Sequence, residues 1–84
     1  GTYAVYASAP GADVVVTLPV ATAAKGKFVL VKKTDAGGSS VLVAKAGGSS
    51  DTIEGAATVT LATQYAGVLL HNNARDTWYK VSSI

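Results

Sequence analysis

Short apolar runs rich in valine recur along the chain, each closed by glycine, proline, aspartate or asparagine. This is the alternation of strands and turns. Residues 2–7 predict a first strand, and Ser8-Ala9-Pro10-Gly11-Ala12 a turn. A second strand is expected over 13–18, ended by Pro19, which has no N–H to give a ladder. The Ala-rich stretch 20–25 predicts a single helical turn at most. Phe28, Val29, Leu30 and Val31 make 27–34 the strongest strand. Further strands are expected at 41–46, 57–61, 66–71 and 77–82, with turns at 35–40, 47–51 and 72–76; residues 52–54 lead through Gly55 into the strand at 57. Strands recurring every 8–12 residues or so indicate a small sandwich or barrel. The expected fold is therefore all-β: a small antiparallel sandwich or barrel-like domain of about six to eight short strands, with residues 1–84 as one domain.

Two features of the pattern add to this. Val29-Leu30-Val31 and Val41-Leu42-Val43 are each followed by lysine and then by Gly-Gly-Ser-Ser, at 37–40 and 47–50. Two copies fall short of a solenoid, and they are read as two arms of the same strand-and-turn material with flexible hairpin tips. The strand at 27–34 is also apolar on both faces, with Phe28 and Leu30 on one and Val29 and Val31 on the other. A two-layer domain buries one face of each sheet. The second face then needs a partner, and self-association is expected from the pattern alone.

Composition supports the same expectation. Of the 84 residues, 49% are hydrophobic and only 14% charged, where about a quarter is usual. A chain of this size buries roughly two thirds of its unfolded surface and generally needs further support. There is no cysteine and only one histidine, which excludes disulfides, thiolate sites and multi-histidine metal sites. Lys25, Lys27, Lys32, Lys33, Lys45, Arg75 and Lys80 are scattered without a basic run, so no nucleic-acid partner is expected. No run reaches the length of a membrane-spanning helix, and no basic region followed by an apolar core marks a secretory leader. Gly1 reads equally as a tag remnant or as the cut end of a longer chain.

Candidate chemistry is sparse. His71 lacks any nucleophile-elbow signature nearby and is expected as a strand-end histidine beside a loop. Asp51 and Glu54 are three apart without the ligand density of a calcium loop, and are expected as solvated turn acids. The Gly-Gly-Ser-Ser segments lack the lysine and helix of a phosphate loop. Trp78 and Tyr79 are adjacent in a strand and point to opposite faces, one to the core and one to a surface. No catalytic residue, cofactor or metal site is assigned, and the chain is not read as an enzyme.

Between Leu18 and Tyr79 the ordered turn motifs carry a resemblance. They are Leu18-Pro19, Gly26-Lys27, Lys32-Lys33-Thr34-Asp35, Asp51-Thr52-Ile53-Glu54-Gly55, Thr58-Val59-Thr60-Leu61, Gln64-Tyr65, Gly67-Val68-Leu69 and Thr77-Trp78-Tyr79. This series resembles a β-domain of phage tail-fibre and related virion proteins. The chain departs from that pattern at residues 72–77, where the family has a Ser-Asp-Gly-type turn, and at His71. The resemblance implies a non-catalytic, homotrimeric structural module on the virion surface, in a tail fibre, spike, head fibre or capsid decoration, contacting other virion proteins. It also implies backbone roles for Gly26 and Gly55. Phe28, Leu30, Val41, Val43, Val68, Leu70 and Trp78 are expected to form the combined core and oligomer interface. The alternative is an adhesin that attaches to a host-surface glycan or receptor through Asn72, Asn73, Asp76 and Tyr79.

Overall fold

The computed structural model describes residues 2–84; Gly1, and with it the reading of that residue as a remnant or a cut end, lies outside the described residues. Among the described residues eight strands form: β1 (Thr2–Ala7), β2 (Val14–Thr17), β3 (Phe28–Lys33), β4 (Val41–Ala44), β5 (Thr52–Ile53), β6 (Thr58–Leu61), β7 (Gly67–Asn72) and β8 (Thr77–Ser83). A four-residue helix, α1 (Ala21–Ala24), occupies the expected single turn. The first sheet has the order β1-β3-β7-β8-β5 and the second the order β2-β4-β6.

The two layers agree with the expected all-β fold, but the sheets are mixed rather than antiparallel. β1 runs parallel to β3, β2 parallel to β4 and β5 parallel to β8, while β3–β7, β4–β6 and β7–β8 are antiparallel. The cause is the path of the chain. From β1 to β4 each successive strand enters the opposite sheet, so a strand meets its own sheet again after a long excursion. Such a crossover supplies the length that parallel neighbours require and a hairpin does not. Consequently the Gly-Gly-Ser-Ser segments are not hairpin tips. Residues 37–40 carry the chain from β3 in the first sheet to β4 in the second, and residues 47–50 carry it back to β5.

The repeated sequence has a structural counterpart. β3 and β4 are each flanked by a parallel strand and an antiparallel one. A lysine at the end of each ties the next turn. Lys33 Nζ donates to the carbonyls of Asp35 and Gly37 at 2.8 and 3.1 Å, and Lys45 Nζ donates to Ser49 at 2.8 Å. Each turn also sends an aspartate to the segment after the parallel neighbour. Asp35 accepts from Ala9 N–H and Asp51 from Ala21 N–H, at 2.8 and 2.9 Å. Asp51 is thus buried, correcting its expectation as a solvated acid. Glu54 is exposed and accepts from Lys80 N–H at 2.8 Å.

Side chains alternate along the central strands. Val29, Val31, Val68, Leu70 and Trp78 from the first sheet meet Val41, Val43 and Leu61 from the second in one core. Burying these side chains is the main source of stability. Between β5 and the 56–61 segment, Ile53 and Ala56 exchange both backbone hydrogen bonds across Glu54 and Gly55. Both linking residues have positive φ, 51° and 87°, the geometry of a type I′ turn. Gly26, at φ 72°, turns the chain from α1 into β3.

Candidate interaction surface

The outward face of the first sheet is built from the alternate positions of the same strands. Register gives three rungs across it. Thr2, Phe28, His71 and Tyr79 form one; Ala4, Leu30, Leu69 and Ser82 form the next; Tyr6, Lys32 and Gly67 form the third. Lys32 is the one lysine among them. Phe28, Leu30, Leu69 and His71 are half-buried by one another, whereas Tyr6 and Tyr79 stand exposed. The rings of Phe28 and His71 lie 4.4 Å apart at 35°, an offset arrangement that favours aromatic pairs. His71 Nε2 is 3.1 Å from the carbonyl oxygen of Gly26, which fixes the ring against the sheet. His71 is therefore part of the apolar face and not merely a residue at a loop.

The residues expected to form a joint core and interface separate cleanly by face. Val41, Val43, Val68, Leu70 and Trp78 are buried in the protomer's own core. Phe28 and Leu30 lie on the opposite, outward side of their strand. Leu69, His71, Ala4 and Tyr6, which also lie on that face, were not in the set expected to form the core and interface. Their parity relative to Val68, Leu70 and Val5 carries the signal, because neighbours on a strand face opposite ways.

The four residues considered for ligand contact do not form a set. Asn72 is buried, with 1% of its surface exposed. Its Oδ1 accepts from Gly26 N–H and Ala74 N–H at 3.0 and 2.8 Å, and its Nδ2 donates to the carbonyls of Lys27 and Ala24 at 3.2 and 3.4 Å. Both ends of the amide are engaged, so Asn72 is a fastener between β7 and the α1–β3 turn and has nothing left for a ligand. Asn73 Oδ1 accepts from the N–H groups of Arg75, Asp76 and Thr77, closing the β7–β8 turn on itself. Asp76 accepts from the Thr77 hydroxyl and the Asn73 amide, which hold its carboxyl below the ordinary value of 3.8. Tyr79 belongs to the first rung of the outward face, on the other side of the strand from Trp78.

Compared with family models, curated proteins and solved structures, the chain matches none of them. Among the described residues no three His, Cys, Asp or Glu side chains gather as metal ligands do. Several of the motif residues noted above hold the fold together. Leu18, Lys33, Ile53 and Trp78 are buried, and Gln64 Nε2 and Tyr65 N–H bind the carbonyls of Thr34 and Lys33.

Proposed function

We propose that the chain is a non-catalytic structural module of a bacterial virus, a fibre, spike or capsid-decoration component that works as a homotrimer on the particle surface. The observation that carries the self-association is the outward face of the first sheet, where Phe28, Leu30, Leu69 and Tyr79 present apolar surface with a single lysine among three rungs. A contiguous apolar face on a small domain is characteristic of an interface. The threefold number and the virion setting rest on the ordered turn motifs and their resemblance to virion β-domains.

The glycan-binding alternative draws less support, since Asn72 is buried and fully bonded and the Asn73 oxygen is taken up by its own turn. Light scattering across a wide concentration range tests the proposal. At low concentration the expected result is a trimer, which Leu69→Lys, on the middle rung, dissociates while the fold is retained. A wild-type chain that remains monomeric throughout, or a trimer indifferent to Leu69→Lys, overturns it.

A further inference from the structure

We infer that the free edge of β1 is a second self-association site, at which β1 pairs antiparallel with β1 of another copy. This goes beyond the proposed trimer, because it uses the rim of the first sheet and not its face.

Among the described residues β1 has one neighbour, β3, and is the outermost strand of its sheet. It pairs with β3 in unbroken register over all six residues, so no bulge twists its edge away. Its sequence, Thr-Tyr-Ala-Val-Tyr-Ala, contains no charge, proline or glycine. Folded proteins protect an edge with such residues, with bulges or by keeping the strand short. The opposite edge of the same sheet, β5, is only two residues long. β1 has none of these protections.

The direction of the free groups follows from the ladder. Thr34 N–H donates to the Ala7 carbonyl at 2.9 Å, so Ala7 turns its backbone toward β3. By alternation Val5 and Tyr3 do the same, and Thr2, Ala4 and Tyr6 turn their N–H and C=O groups to the open side. These three are spaced evenly about Ala4. An antiparallel copy related by a twofold axis at Ala4 therefore meets them in register, Ala4 opposite Ala4 and Thr2 opposite Tyr6. Every open group on one strand then faces a complementary group on the other. Tyr3 comes opposite Val5, and Tyr6 opposite Thr2, on the two sides of the joined sheet. Tyr3 and Tyr6 are 57% and 69% exposed in the single chain, so each has surface to bury in such a pair. The absence of charge on the strand removes like-charge repulsion between copies. The two five-stranded sheets become one of ten, and their apolar outward faces become continuous.

The test begins from Leu69→Lys, which removes the face contact two strands away from the edge. Light scattering on this variant at high concentration is expected to give a dimer. Adding Ala4→Pro takes away an N–H that points to the open side and leaves the ladder to β3 intact; the mass is expected to halve. Tyr6→Lys, which places a charge on the rim, is expected to halve it too, and near-ultraviolet circular dichroism of Trp78 reports that each variant is folded. In the dimer the Tyr6 amide is expected to exchange with solvent more slowly than in the Ala4→Pro background. A Leu69→Lys chain that is already monomeric overturns the edge contact while leaving the face assembly standing. A dimer that survives both edge substitutions in folded protein overturns it as well.

Discussion

The Lys33 ammonium lies 3.2 Å from a carboxylate oxygen of Asp35, at the end of a side chain with no exposed surface. A buried lysine is tolerable only when its charge is matched and its donors are used. Here the Asp35 carboxylate matches the charge, and the Asp35 and Gly37 carbonyls take two of the donors. The same carboxylate accepts from the N–H groups of Ala9 and Gly37. One ion pair thus ties the end of β3, the turn that leaves it and the link between β1 and β2.

Removing the cation leaves those carbonyls without their donor and a void where the side chain lay. Lys33→Ala is expected to lower stability by about 3 kcal/mol. Thermal denaturation should show the midpoint falling by at least about 10 °C for a domain of this size. The exposed Lys25→Ala should leave it nearly unchanged.

Acid should weaken the fold through Asp35 and Asp76. The Ala9 N–H first, then Lys33 and the Gly37 N–H, hold the Asp35 carboxyl below its ordinary value of 3.8. A carboxyl depressed on folding binds its proton more readily in the unfolded chain. Its stabilising contribution is therefore present above the ordinary value and lost as pH falls through the lower, folded one. Melts across the acid range should show stability dropping below about pH 4. In Asp35→Asn/Asp76→Asn the starting stability should be lower and the acid decline shallower.

Two adjacent glycines should respond differently to alanine. A Cβ at Gly37 would stand 2.8 Å from Asp35 Oδ2 and 3.2 Å from the Pro10 carbonyl oxygen, whereas one at Gly38 meets nothing within 4 Å. Gly37→Ala must displace the carboxylate that neutralises Lys33, and is expected to destabilise clearly in denaturant titration. Gly38→Ala should stay within about 0.5 kcal/mol of wild type.

Ala74 carries the reverse strain. It sits in the β7–β8 turn at φ 63°, a conformation unfavourable for any residue with a Cβ. Ala74→Gly relieves that strain but gives the unfolded chain more freedom. The balance should favour the variant by up to about 1 kcal/mol, read as a midpoint rise of a few degrees.

Much of the fold was legible in the residues. The strands over 2–7, 27–34 and 77–82 are within a residue of β1, β3 and β8 at each end, because β-branched runs between turn residues are a local signal. The burial of Lys33 and Asn72 was less visible, since a lysine or asparagine at a strand end reads as solvated. Yet both share parity with core residues: Lys33 with Val29 and Val31, and Asn72 with Val68 and Leu70. Once the inner face is known, alternation places them inside. The parallel pairings had no local sign at all, because they join segments separated by an excursion through the other sheet.

The sequence by itself determined where the chain is extended, where it turns, and that the strand at 27–34 has two apolar faces. Those properties depend on neighbours along the chain. Only the tertiary structure decided that Val29 and Val31 point inward while Phe28 and Leu30 point outward, that Lys33 is enclosed, and that β1 is left with an open edge. A strand's alternation is symmetrical between its two faces, and the choice between them is made by the layer packed against it, which residues distant in sequence provide.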